Sequence, residues 1–129
     1  MHDIPLVAHF HDTRGLGLAN VVAALGSLAH KFDTALARLR GCPFASGASG
    51  NIATEDIVHM CETMGLSTVI DLYSLIKLRG NFARWLPDKA LEGRLSTAGI
   101  SRTFTQTTSR IYTIYTFLIS VLRSHWSQP

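Results

Sequence analysis

The feature that most restricts the fold is a change of period between residues 4 and 37. The apolar run Ile4-Pro5-Leu6-Val7-Ala8 opens a stretch, residues 4–10, that is too short for a helix. It ends in a Gly-containing turn, so it reads as a short buried strand. Apolar residues then recur at Leu18, Val21, Val22, Leu25, Leu28, Ala29 and Phe32, the i, i+3, i+4, i+7 stripe of an amphipathic helix. Phe32-Asp33-Thr34-Ala35-Leu36-Ala37 reads as a second strand, and a Gly/Ser-rich loop, "GCPFASGASGN", runs from Gly41 to Asn51. Thr54 is placed to N-cap the next helix, with Glu55 and Asp56 suiting its dipole and Gly65 fitting its C′ position. Asp71 is placed to cap a further helix through Leu72, Leu75 and Ile76. Strand, helix, strand, long loop, helix predicts an α/β fold with a parallel sheet.

The 129 residues fit one domain, and 47% hydrophobic content suits a globular core. Residues 1–100 carry nine Lys/Arg and nine Asp/Glu. The surplus of +3 therefore comes from Arg102, Arg110 and Arg123, which are too scattered for a nucleic-acid face. Cys42 and Cys61 have no metal or disulfide-framework spacing, which points to a reducing compartment. The start, Met1-His2-Asp3, has no basic, amphipathic or secretory character.

Residues 82–100, "FARWLPDKALEGRLSTAGI", read as a surface connector. The tail 101–129 turns rich in Ser, Thr, Ile and Tyr and is a separate, unassigned segment after the 1–100 portion. Its apolar stretch from Ile111 to Leu122 falls short of the ~20 residues a membrane helix needs, so no membrane partner is expected.

The chemistry-bearing stretch is "HFHDTRG", His9 to Gly15. On a strand, His9 and His11 share a face and Phe10 takes the other; on a helix they would diverge by about 200°. H-x-H alone is a weak signal, since such pairs are more often packing or surface histidines. The position strengthens it, because the pair lies at the C-terminal end of a strand, where α/β proteins bind ligands. Asn51, which ends the Gly/Ser loop, is a third donor or a plain capping residue.

"HFHDTRGLGLANVVAAL", "GCPFASGASGNIATEDIVHMCETMG" and "STVIDLYSLI" together resemble the C-terminal part of 3-hydroxy-3-methylglutaryl-CoA lyase, and "GRLSTAGI" resembles that family's sequence beyond the last barrel helix. The resemblance covers residues 4–100. It implies a partial TIM (β/α)8 barrel comprising about the last two βα units plus C-terminal helices. It implies metal-dependent carbon–carbon cleavage of an acyl-CoA substrate to acetyl-CoA and acetoacetate, as in leucine catabolism and ketone-body formation. His9, His11 and Asn51 match the family's ligands for a divalent cation, Mg²⁺ or Mn²⁺, and Cys42 matches its loop thiol acting as general acid/base. Asp12, Arg14, Asp33 and Glu55 are weaker candidates: Asp12 as support for the histidines, Arg14 as a substrate or turn residue, Asp33 as a buried hydrogen-bonding residue, and Glu55 as a site contact. A mitochondrial matrix or bacterial cytoplasmic setting follows from the family alone.

Two departures qualify the match. The family's "GGLGGCP" stands here as Ala37-Arg38-Leu39-Arg40-Gly41-Cys42-Pro43. If the backbone there needs positive φ, each side chain costs roughly 1 kcal/mol, and the arginines would favour a Cys42 thiolate. Second, a complete barrel takes about 250 residues, and the family's first strand supplies an acidic ligand and an arginine. An incomplete barrel leaves sheet edges and apolar helix faces uncovered. The expectation is no independent turnover, with the remaining barrel portion or a homodimer as partner. Two alternatives stand beside the lyase: a non-catalytic remnant, and a related Claisen-type acyl-CoA synthase, against which "GCPFA" with "GASGN" argues.

Overall fold

The computed structural model describes residues 6–27, 29, 31–39, 50–106 and the backbone of 115–117. The elements follow the order β1 (Ala8–His9), α1 (Gly17–Gly26), β2 (Lys31–Asp33), a 3-10 turn (Leu36–Arg38), α2 (Thr54–Thr63), α3 (Leu72–Trp85), α4 (Arg94–Ala98) and β3 (Tyr115–Phe117). The sheet order is β1-β2-β3. Both pairings are parallel, with Ala8 opposite Phe32, His9 opposite Asp33, and Asp33 opposite Phe117. This is the expected α/β arrangement with a parallel sheet, in a small piece. Among the described residues no helix is long and apolar enough to cross a membrane.

The core gathers side chains from α1, β2, the 3-10 turn, α2, α3 and α4. Phe32, Leu36, Ile57, Leu72, Val21, Val58 and Cys61 are the largest apolar side chains fully excluded from water among the described residues. Each buried side chain of Ile, Leu or Phe size stabilises by about 1.5–3 kcal/mol. α2 also packs on α3, α4 and the 3-10 turn.

Local signals set several element ends as the sequence predicts. Asp71 accepts from the Tyr73 and Ser74 N–H groups at the start of α3. Gly65 takes φ 80°, and the Leu66 N–H bonds back to Cys61 O, closing α2 with a Schellman turn.

Other boundaries differ. β1 is confined to two residues, within the expected 4–10. The stripe through Phe32 is not one helix, because α1 stops at Gly26 and Phe32 lies in β2. A residue buried from a strand falls on the helical period by coincidence there. Thr54 is inside α2 rather than its cap. Ala53 holds the cap position, bridged to Ala35, and Thr54 Oγ1 instead pairs with Thr34 Oγ1 at 2.9 Å. α3 continues to Trp85, absorbing the start of the expected connector.

Candidate functional site

At the end of β1 the two histidines lie on one face, as strand alternation requires, while Phe10 packs toward the core. Their Nε2 atoms are 3.0 Å apart and the rings meet edge to face. Parallel pairing sets His9 beside Asp33, and His9 Nδ1 lies 2.9 Å from Asp33 Oδ2. A carboxylate only accepts, so Nδ1 of His9 donates to Asp33, and its Nε2 faces Nε2 of His11. Asp33 is thus half-exposed and bound to a histidine, not the buried residue expected from the sequence.

His11 and Asn51 form an antiparallel bridge. Two bonds flank it, Asp12 N–H to Gly50 O at 3.2 Å and Ile52 N–H to Phe10 O at 3.4 Å. Such a pair carries no bond between its own two residues, so their Cα atoms approach to about 4.5 Å and the side chains stand close. The Asn51 side chain is buried, and its Nδ2 donates to Leu39 O at 3.5 Å. His9, His11, Asp33 and Asn51 therefore gather at one end of the sheet. Among the described residues no group of three His, Cys, Asp or Glu converges as a metal cluster; an amide is outside that set. Clefts of about 290 and 410 Å³ lie along α2, sharing His59 and Ser101, and neither is lined by the histidine pair. Cys42 and Arg40, with the rest of the loop 40–49, lie outside the described residues.

Asp12 reaches to the start of α1 and to two arginines. Its Oδ1 accepts from the Gly17 N–H at 2.8 Å, fixing the start of α1, and its Oδ2 faces Arg38 and Arg94. Arg14 is exposed. Glu55 is fully buried under the 3-10 turn. Its Oε2 accepts from the Ala37 N–H at 3.1 Å, and Arg79 Nε lies 3.2 Å from Oε1, an ion pair angled too poorly for a hydrogen bond. Desolvation holds the Glu55 carboxyl above the usual glutamate range, opposed by its hydrogen bonds to backbone N–H groups. Cys61 is sealed in the core, and burial pushes its thiol up to about 12, which leaves it inert.

The expected positive φ in the glycine-poor approach is present: Ala37 has φ 54° and Arg38 φ 57°. Sequence reasoning treated Arg38 as a source of strain and, with Arg40, as a positive charge near Cys42. Its guanidinium donates to Asn51 O and Asp12 O and pairs with Glu92. Glu92, from the connector, also donates its N–H to Ala37 O. No local pattern announces these partners, because they come from segments 13 to 54 residues away from Arg38.

Known proteins resemble this chain over the same region. The HMGL-like family profile matches residues 2–81. A mouse 3-hydroxy-3-methylglutaryl-CoA lyase, cytoplasmic, is 40% identical over 104 residues, covering 78% of this chain and 30% of that protein. The human mitochondrial hydroxymethylglutaryl-CoA lyase is 47% identical over 85 residues, covering 64% of this chain and 26% of that protein. An HMG-CoA lyase from Acinetobacter baumannii, solved in complex with coenzyme A and 3-methylmalate, superposes with a TM-score of 0.70 at 50% identity, covering 78% of this chain and 32% of that one. The chain thus spans about a third or less of these relatives' length. A match over residues 2–81 takes in more than half of the 129 residues, and this chain belongs to the HMGL-like family.

Proposed function

We propose that this chain is the C-terminal part of a hydroxymethylglutaryl-CoA lyase barrel, contributing about its last two βα units, and that His9, His11 and Asn51 hold a divalent cation. One observation carries the reading. Two donors ~2.1 Å from one octahedral ion, at right angles to each other, stand about 3.0 Å apart. The two Nε2 atoms are separated by 3.0 Å. Asp33 on Nδ1 of His9 is the kind of carboxylate support that orients a ligating imidazole. Two imidazoles and one amide supply no negative charge, so the set fits Mg²⁺ or Mn²⁺ only with a carboxylate from elsewhere in the barrel. A cation held there supplies Lewis-acid polarisation of the substrate's oxygens.

The other roles rest on the family. Cys42, on the loop between β2 and α2, moves a proton to or from the reacting centre as the carbon–carbon bond of 3-hydroxy-3-methylglutaryl-CoA breaks. An acyl-CoA substrate is supported by the coenzyme A complex of the Acinetobacter relative. Exposed Leu6, Val7, Leu16 and Val22 lie around β1 and α1, where a preceding βα unit would cover them.

The test is a Co²⁺ titration of the 129-residue chain, read by the visible absorption of the ion, against His11→Ala. Binding that weakens at least tenfold in the variant is expected, and equal curves would discard the reading. Acetoacetate production by the 129 residues alone is expected to be undetectable.

A second reading, a non-catalytic remnant, draws on β3. That strand pairs with the flank of β2, a place that an adjoining barrel strand would need. Restoration of acetoacetate production by adding the remaining barrel as a separate chain would decide for the enzyme.

A further inference from the structure

Arg38 stands where a side chain is disfavoured. Its φ of 57° lies in the left-handed region, and Ala37 beside it has φ 54°. Glycine would sit there without the roughly 1 kcal/mol that a β-carbon costs. The side chain nevertheless threads inward and is only 11% exposed. Nε donates to Asn51 O at 3.3 Å and Nη2 to Asp12 O at 3.2 Å. Nη2 also lies 3.4 Å from Asp12 Oδ2, and Nη1 lies 3.5 Å from Glu92 Oε2.

Those two carbonyls belong to the two segments that meet at the His11–Asn51 bridge, Asp12 directly following His11. The flanking backbone bonds, at 3.2 and 3.4 Å, are long for amide hydrogen bonds. A guanidinium presents five donors in a rigid plane and can grip both segments at once; an ammonium is a point charge and glycine offers nothing.

We propose that Arg38 is a positioning residue: its fork locks the end of β1 that carries His11 against the segment that carries Asn51, and so fixes the spacing of the two side chains. The functional meaning of that spacing rests on the donor reading above. The lock itself does not. The arginine gives this fragment a tie across the junction that glycine cannot make, and its contacts offset the strain at its own backbone.

Amide hydrogen exchange, followed by NMR on the full chain, tests the lock. In Arg38→Gly the Asp12 and Ile52 amides should exchange at least about tenfold faster, the effect of losing one charge-assisted hydrogen bond. The Val58 and Cys61 amides inside α2 should keep their wild-type rates. Arg38→Lys keeps the charge and the backbone but lacks the fork, and should accelerate the same two amides by a smaller factor. Unchanged Asp12 and Ile52 exchange in both variants overturns the proposal. If Arg38→Gly also accelerates Val58 and Cys61, through general unfolding, Arg38→Lys decides by the same criterion. In the Co²⁺ titration, weaker binding by Arg38→Gly is expected to follow its amide acceleration. Wild-type and His11→Ala curves that coincide would sink the donor reading while the exchange comparison still judges Arg38.

Discussion

Glu55 and Asp71 are both carboxylates beside a helix start, and water separates their behaviour. Glu55 is shut away beneath the 3-10 turn, and its carboxyl is held above the ordinary range chiefly by desolvation. A raised carboxylate binds its proton in the folded state at pH values where the unfolded chain has released it. Stability therefore falls as pH rises from the ordinary glutamate range through the raised folded value. Glu55→Gln keeps an acceptor for the Ala37 N–H and cannot ionise. We expect the decline in urea midpoint across that window to flatten in the variant, and parallel midpoint curves would contradict the assignment. The sequence offered Glu55 as a first-turn glutamate or a site contact. Its burial depends on Gly93, where an added β-carbon would come 2.9 Å from Oε1, and on the turn 18 residues earlier. Neither is visible from local spacing. The histidine pair was legible for the opposite reason, since strand alternation alone puts both rings on one face.

At the scale of elements, signals that act within one turn were readable and those that depend on partners were not. Asp71 and Gly65 are examples of the first kind. The carboxyl of Asp71 is held below its usual range, first by the Ser74 backbone N–H, then by the Ser74 hydroxyl. A lowered carboxylate stabilises above its unfolded value, and the contribution is lost as pH falls through the folded one. Asp71→Ala should melt below wild type at neutral pH, and the gap should close as the buffer is taken below the carboxylate range. A gap that persists in acid would mean that the side chain acts other than as a charged cap. The end of α1 and the start of α2 belong to the second kind. Phe32 continued a helical stripe while belonging to β2, and Thr54 lost the cap position because Ala53 is held by its bridge to Ala35.

Across the whole molecule, the order of elements followed from the change of period, but the tail's place did not. Tyr115–Phe117 joins the sheet in parallel beside β2, although nothing in a Ser/Thr/Ile-rich segment indicates which edge it meets. Removing residues 107–129 strips that neighbour and leaves backbone donors and acceptors of β2 unpaired. The truncated chain is expected to self-associate, read as a sedimentation coefficient that rises with concentration more steeply than in the full chain. Identical profiles would show that the strand protects nothing. A flank already zipped to one ribbon has no vacancy for another. While Tyr115–Phe117 keeps its seat, any newcomer seeking to extend the sheet is turned away from β2 itself and must meet an outer strand, β1 or β3.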